Sequence, residues 1–209
     1  MRRIVVVVAV ATIVGCTPAL SPEVLKTYQD RTLYTCCNLH QQGGAVSDAN
    51  YYDGAVVPLG STVHVESAAR SSVTVTADGT KLTLSQDYGR AQESFQQYLD
   101  KILVPDDPKQ RFASYSHAVQ DAIRESRVEK GMTKEQVLMS LGYPPTHRTA
   151  STSANDWTYW YNHWVTYRVV FDDTGKVSNV IGRPAPTQDQ PIPQEVPKAK
   201  PTPAAKKRR

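Results

Sequence analysis

Residues 131–145 read Gly-Met-Thr-Lys-Glu-Gln-Val-Leu-Met-Ser-Leu-Gly-Tyr-Pro-Pro and specify both ends of a short helix. Thr133 and Gln136 have the spacing of a capping box, in which each side chain satisfies an orphan backbone N–H of the first turn. Met132 and Val137 occupy the two positions of a hydrophobic staple. Gly142 follows the last apolar residue, where a left-handed conformation ends a helix without Cβ strain. Tyr143 then falls where it would touch Leu138, and Pro144 and Pro145 forbid continuation. A helix this short does not survive alone in water. The rest of the chain must supply a surface for it to dock on.

Downstream, the apolar period is two. Trp157, Tyr159 and Tyr161 share one face of a strand, with Trp160 on the other. Tyr167, Val169 and Phe171 form a second alternation, Asp172-Asp173-Thr174-Gly175 reads as a hairpin loop, and 177–181 returns. Upstream, 116–126 has the helical spacing that buries Val119, Ala122 and Ile123. The expectation is two helices on one face of an antiparallel meander of three, or at most four, strands.

The region 33–85 also alternates. Val63 and Val65, Val73 and Val75, then Leu82 and Leu84 are separated by polar neighbours, and Asp78-Gly79 is a strong two-residue hairpin signal. Further turns are expected at Gly43-Gly44, Asp53-Gly54 and Leu59-Gly60. The pattern suggests a small β-rich unit, SH3-like in its short strands and frequent turns. A helix over about 88–103 follows, with Phe95, Tyr98, Leu99 and Ile102 on one stripe and Asp87 as its N-cap. Pro105-Asp106-Asp107-Pro108 ends it. The fold class is therefore α+β.

Arg2 and Arg3 precede an apolar run over 4–14, eleven residues against the ~20 needed to span a bilayer. This reads as a secretory leader. Ile13-Val14-Gly15-Cys16 resembles the lipobox of bacterial lipoproteins. The resemblance implies acylation of Cys16, cleavage before it, and a firm anchor from several acyl chains. Thr17, rather than Asp, after the lipidated Cys implies sorting to the outer membrane.

Of the 24 basic and 20 acidic residues, six basic and two acidic lie from residue 184 onward, a net +4. Residues 16–183 hold 16 basic and 18 acidic, a net −2. The basic excess is thus a property of the tail, and nucleic acid is not an expected partner of an exported chain. The tail is Pro-, Ala- and Lys-rich with few large apolar residues, a composition that does not fold by itself. Lys206-Lys207-Arg208-Arg209 either binds anionic lipid headgroups, lipopolysaccharide phosphates or acidic partners, or is a solvated, inert terminus.

Gly-Met-Thr-x-x-Gln-Val-x-x-x-Leu-Gly-x-Pro over 131–144, then Trp157-Thr158-Tyr159, then Val169-Val170-Phe171-Asp172-x-x-Gly175-x-Val177, resembles the SmpA/OmlA (BamE-like) family of outer-membrane lipoproteins. The likeness covers about 115–183. It implies two helices on a three-stranded antiparallel sheet, a lipidated N-terminal Cys, the outer membrane, and a role beside the β-barrel assembly machinery. Two departures stand out. About 90 residues precede the family domain, and Tyr161-Asn162-His163 stands where the family has a basic contact residue.

The expected division is a leader over 1–15, a lipidated tether over 16–27, a β-rich unit over 28–87, a helix and linker over 88–112, the BamE-like unit over 113–183, and the tail over 184–209. No catalytic or metal-ligating pattern emerges; His40, His64, His117, His147 and His163 are scattered, and no cofactor is expected. Cys36-Cys37 leaves three readings open: a vicinal disulfide, two buried thiols, or bonds to a partner. The aromatic cluster Trp157, Tyr159, Trp160, Tyr161 and Trp164 exceeds what one sheet face needs. One face is expected to be core under Val119, Ile123, Val137 and Leu141, and the cluster is the candidate contact surface. The functional expectation is a non-enzymatic scaffold, lipid-anchored on the periplasmic face of the outer membrane, that contacts envelope proteins. The alternative is a module that binds peptidoglycan or anionic lipid through the β-rich unit and tail.

Overall fold

The computed structural model describes residues 20–184; the leader, Cys16 and the tail from residue 185 lie outside the described residues. The first element is α1 (Pro22–Gln29), with Ser21 as N-cap and its hydroxyl accepting the Val24 N–H at 3.3 Å. It occupies much of the expected tether. The proline that suggested a linker sits in the first turn, where its missing N–H is no loss. Tyr28 is buried and donates to Asp100 at 2.5 Å, so α1 is docked.

Eight strands follow: β1 (Leu33–Thr35), β2 (Leu39–Gln41), β3 (Ala45–Ser47), β4 (Ala55–Val57), β5 (Thr62–Ala68), β6 (Ser72–Ala77), β7 (Thr80–Ser85) and, after α2 (Phe95–Ile102), β8 (Leu103–Val104). Six form one sheet in the order β3-β7-β6-β5-β1-β8, antiparallel except for the β3–β7 pair; β2 and β4 form a separate ribbon. Alternation fixes the register. Val63, Val65, Val73, Val75, Leu82 and Leu84 all face inward. The β6–β7 hairpin turns on Asp78 and Gly79, both at positive φ (44° and 83°), as a primed two-residue turn requires. α2 buries the anticipated stripe of Phe95, Tyr98, Leu99 and Ile102 against this sheet. Its N-cap is Ser94, in a capping box with Gln97; Asp87 instead accepts from the Ser85 hydroxyl, and a 3₁₀ turn (Gly89–Ala91) intervenes. The expected N-cap was thus seven residues early, because Ser94-x-x-Gln97 satisfies two orphan donors.

The second unit contains α3 (Lys109–Ala113), α4 (His117–Arg124), α5 (Lys134–Leu141), β9 (Asp156–Trp160), β10 (Thr166–Phe171) and β11 (Val177–Ile181). The three strands form an antiparallel sheet with β10 central. Ala122, Ile123, Val137 and Leu141 pack on its Trp157, Tyr159, Tyr167, Val169 and Phe171 face. α5 is capped at its start as anticipated: the Thr133 hydroxyl accepts the Gln136 N–H, and the Gln136 side chain accepts the Thr133 N–H in return at 2.9 Å.

Its end differs. Gly142 has φ 75° and ψ −175°, a glycine-only region rather than the left-handed helical one. The extended ψ sends Tyr143 away from Leu138 and onto the first core, while Leu138 packs on the second. α5 is also buried on more than its sheet face. Asn38 donates its N–H to the Met139 carbonyl at 3.0 Å, and Met139, Ser140 and Leu141 are all buried.

Candidate functional site

The β2–β4 ribbon joins the two units through buried amides. Asn38 Nδ2 donates to the Ile123 carbonyl (2.6 Å), Ser126 Oγ (3.0 Å) and the Ser140 carbonyl (3.2 Å), while its Oδ1 accepts the Leu59 N–H at 3.0 Å. Asn50 Nδ2 donates to the Leu141 carbonyl at 2.7 Å, and its Oδ1 accepts the His40 N–H at 2.7 Å. The Ser140 and Leu141 carbonyls lie at the end of α5, where the helix supplies no partner of its own, and the Ile123 carbonyl adds Asn38 to the Ser126 N–H it accepts at 3.0 Å. Tyr52 and Asp53 donate their N–H groups to the Trp160 and Tyr161 carbonyls, so the β-rich unit continues the hydrogen bonding of the β9 edge. Leu59 itself belongs to the second core.

His40 lies inside this seam. It is 2% exposed, and neither ring nitrogen has a hydrogen-bond partner. Burial, together with the charge of Arg183, drives its pKa down to about 4. Arg183 stands 4.3 Å over the Tyr52 ring, and Tyr52 is 5.5 Å from the His40 ring.

The aromatic cluster divides by strand alternation. Trp157, Tyr159 and Tyr161 are buried and do not form the expected contact surface. Trp157 packs 4.6 Å from Phe171 and donates to the Ala154 carbonyl; Tyr159 stacks on Tyr167 and donates to the Gly142 carbonyl. The reason is the small area of a three-stranded sheet, where large rings are needed to fill the space under two helices.

Trp160 points from the opposite face and is half-buried. Its indole N–H reaches His147 Nε2 at 3.3 Å, and the Arg148 guanidinium lies 4.8 Å over its ring. Tyr51 is 4.0 Å from His163 and donates to the Tyr88 hydroxyl at 2.8 Å. Tyr88, 5.2 Å from His147, is exposed. Five rings from four separate stretches thus form one outer patch. Trp160 belongs to the contact surface expected from the sequence, and His163 to the segment that stands where the related family has a basic contact residue; the five follow no shared period, so no local signal could have grouped them.

Trp164 is 89% exposed. The turn that carries it is ordered by Asn162, whose Oδ1 accepts the N–H groups of Trp164 and Val165, each at 2.9 Å. A fixed turn presenting an exposed indole is suited to a partner, because a Trp ring buries a large area with little loss of side-chain freedom.

Cys36 and Cys37 are joined by a disulfide, with Cys37 buried. It directly precedes Asn38 and packs on the first core. No group of three or more metal-ligating side chains occurs among the described residues, and no helix there is long and apolar enough to cross a membrane. The lipidation expectation at Cys16 lies outside the described residues.

The second unit is thus an α+β module of two principal helices on a three-stranded antiparallel sheet, with the Trp164 indole exposed. Residues 122–181 match the family model described as the outer membrane protein assembly factor BamE domain, so the chain carries a BamE-like domain over this unit. The match covers less than a third of the chain and leaves out the six-stranded sheet. No curated relative and no solved structure matches the chain.

Proposed function

We propose that the chain is a lipid-anchored scaffold on the periplasmic face of the outer membrane and an accessory of β-barrel protein assembly. The observation that carries this reading is the assembly-factor domain match over 122–181. Acylation of Cys16 holds the protein at the membrane and raises its effective concentration near membrane partners without new contacts. The β-rich unit braces the BamE-like domain, and Trp164 provides the first contact. The chain acts by binding and not by catalysis.

In-cell photo-crosslinking from position 164, followed by co-purification, tests the assignment. Recovery of assembly-machinery subunits is expected. Recovery of a different envelope complex, with every such subunit absent, would refute it. Cys16→Ser is expected to move the protein from the membrane fraction to the soluble one.

A further inference from the structure

α3 and α4 do not close over the end of β4. They leave a cleft of about 510 Å³ between themselves and the β-rich unit. Val56, Pro58, Leu59, Phe112 and Ala113 give it apolar walls. Its floor includes Asn38, whose amide is already engaged in the seam and offers no spare donor. The charged lining residues are Lys109 and Arg124, and no carboxylate lines the cleft. The Lys109 ammonium donates to the Gly60 carbonyl at 2.6 Å and has no ion-pair partner among the described residues. The Arg124 guanidinium lies 5.0 Å over the Phe112 ring and pairs with Asp121 at 2.7 Å, in an exposed position where that pairing is weak.

We propose that this cleft binds an anionic amphiphile with a single apolar chain, its head a carboxylate or a phosphate. The walls take the chain, as apolar surface leaving water is favoured in proportion to its area. The ammonium, which has no carboxylate partner among the described residues, and the guanidinium take the head. The volume falls within the range of about 300–1,000 Å³ found for small-molecule sites. It suits one acyl chain; two would overfill it. A neutral amphiphile would leave the Lys109 ammonium with the Gly60 carbonyl alone and gain only the apolar part. Of the lining residues only Arg124 lies within 122–181, so the site belongs to this chain's own combination of units and not to the matched domain. It stands or falls separately from the assembly-factor reading.

The test uses the full chain in nanodiscs of zwitterionic lipid, with a 16-carbon fatty acid bearing a diazirine at its far end. After irradiation, labelled peptides are mapped by mass spectrometry. Labels are expected on the segments that hold Val56, Leu59 and Phe112. Ala113→Trp, a filling change at an exposed position, should abolish them without altering the thermal melt. Lys109→Gln and Arg124→Gln should each lower labelling at sub-saturating probe about fivefold, the effect of losing one cation near an anionic group. Competition separates the heads. Displacement by palmitate alone supports a carboxylate ligand, and displacement by lysophosphatidylglycerol supports a phosphate ligand. Labels scattered over the surface, labels indifferent to Ala113→Trp, or equal competition by hexadecanol would overturn the proposal.

Discussion

His40 makes the joined structure sensitive to acid. Its imidazole is fully enclosed by the seam, faces the Tyr52 ring, and feels the positive charge of Arg183. The folded chain holds it neutral down to about pH 4, against an ordinary value of 6.5. Between pH 6.5 and 4 the unfolded chain takes up a proton that the folded chain refuses, so this contribution to stability is complete above 6.5 and falls as the pH drops. Each tenfold difference in proton affinity between the two states corresponds to about 1.36 kcal/mol, so the loss across the window is roughly 3 kcal/mol. Urea titrations of the full chain at intervals from pH 4 to 8 measure it. His40→Phe keeps an aromatic ring of similar size and removes both the proton site and two unpartnered buried nitrogens. Relative to its difference from the parent at pH 7, the variant is expected to gain about 2 kcal/mol by pH 5 and about 3 kcal/mol by pH 4. Carboxylates titrate in both proteins and cancel in the comparison. The same pH dependence in both proteins, or a variant that loses stability faster on acidification, would show that His40 is not the group refused.

Gly142→Val places a β-branched residue at φ 75° with its Cβ 2.6 Å from Asn50 Nδ2, and is expected to destabilise by at least about 2 kcal/mol; a normal melting temperature with only partner binding lost would contradict the structural role. Asn38→Ala orphans the buried Leu59 N–H and the Ser140 carbonyl at the end of α5, and should lower stability by about 3 kcal/mol. Calorimetry should then resolve two transitions where the parent shows one. Trp164→Ala, at an open position, is expected to change stability by less than about 0.5 kcal/mol while reducing in-cell crosslinking. Thiol titration of the non-reduced protein should find neither Cys36 nor Cys37 reactive; two reactive thiols would rule out the vicinal bond.

The elements that were legible in the sequence are those fixed by local chemistry. The Thr133–Gln136 capping box, the Asp78-Gly79 turn and the Phe95–Ile102 stripe depend on neighbours within a few residues, and each stands in the structure. α1 and the true cap of α2 were missed because short-range signals competed: Pro22 also fits a linker, and Asp87 also fits a cap. The contact surface was drawn too widely. Alternation told which aromatic residues share a face, but not that the small sheet would need Trp157, Tyr159 and Tyr161 to fill its core.

By itself the sequence determined the helix-pair-on-sheet domain, the hairpins and the placement of the basic excess in the tail, because periodicity, caps and charge are counted along the chain. Only the tertiary structure decided that the two units share a seam. Asn38 and Asn50 reach partners 85 to 102 residues away, and no spacing rule encodes a contact at that separation. The same seam enclosed His40 and drew Tyr143 to the first core. It also assembled the outer ring patch and left the cleft beside Lys109, since cavities and desolvated groups arise only where separately specified surfaces meet.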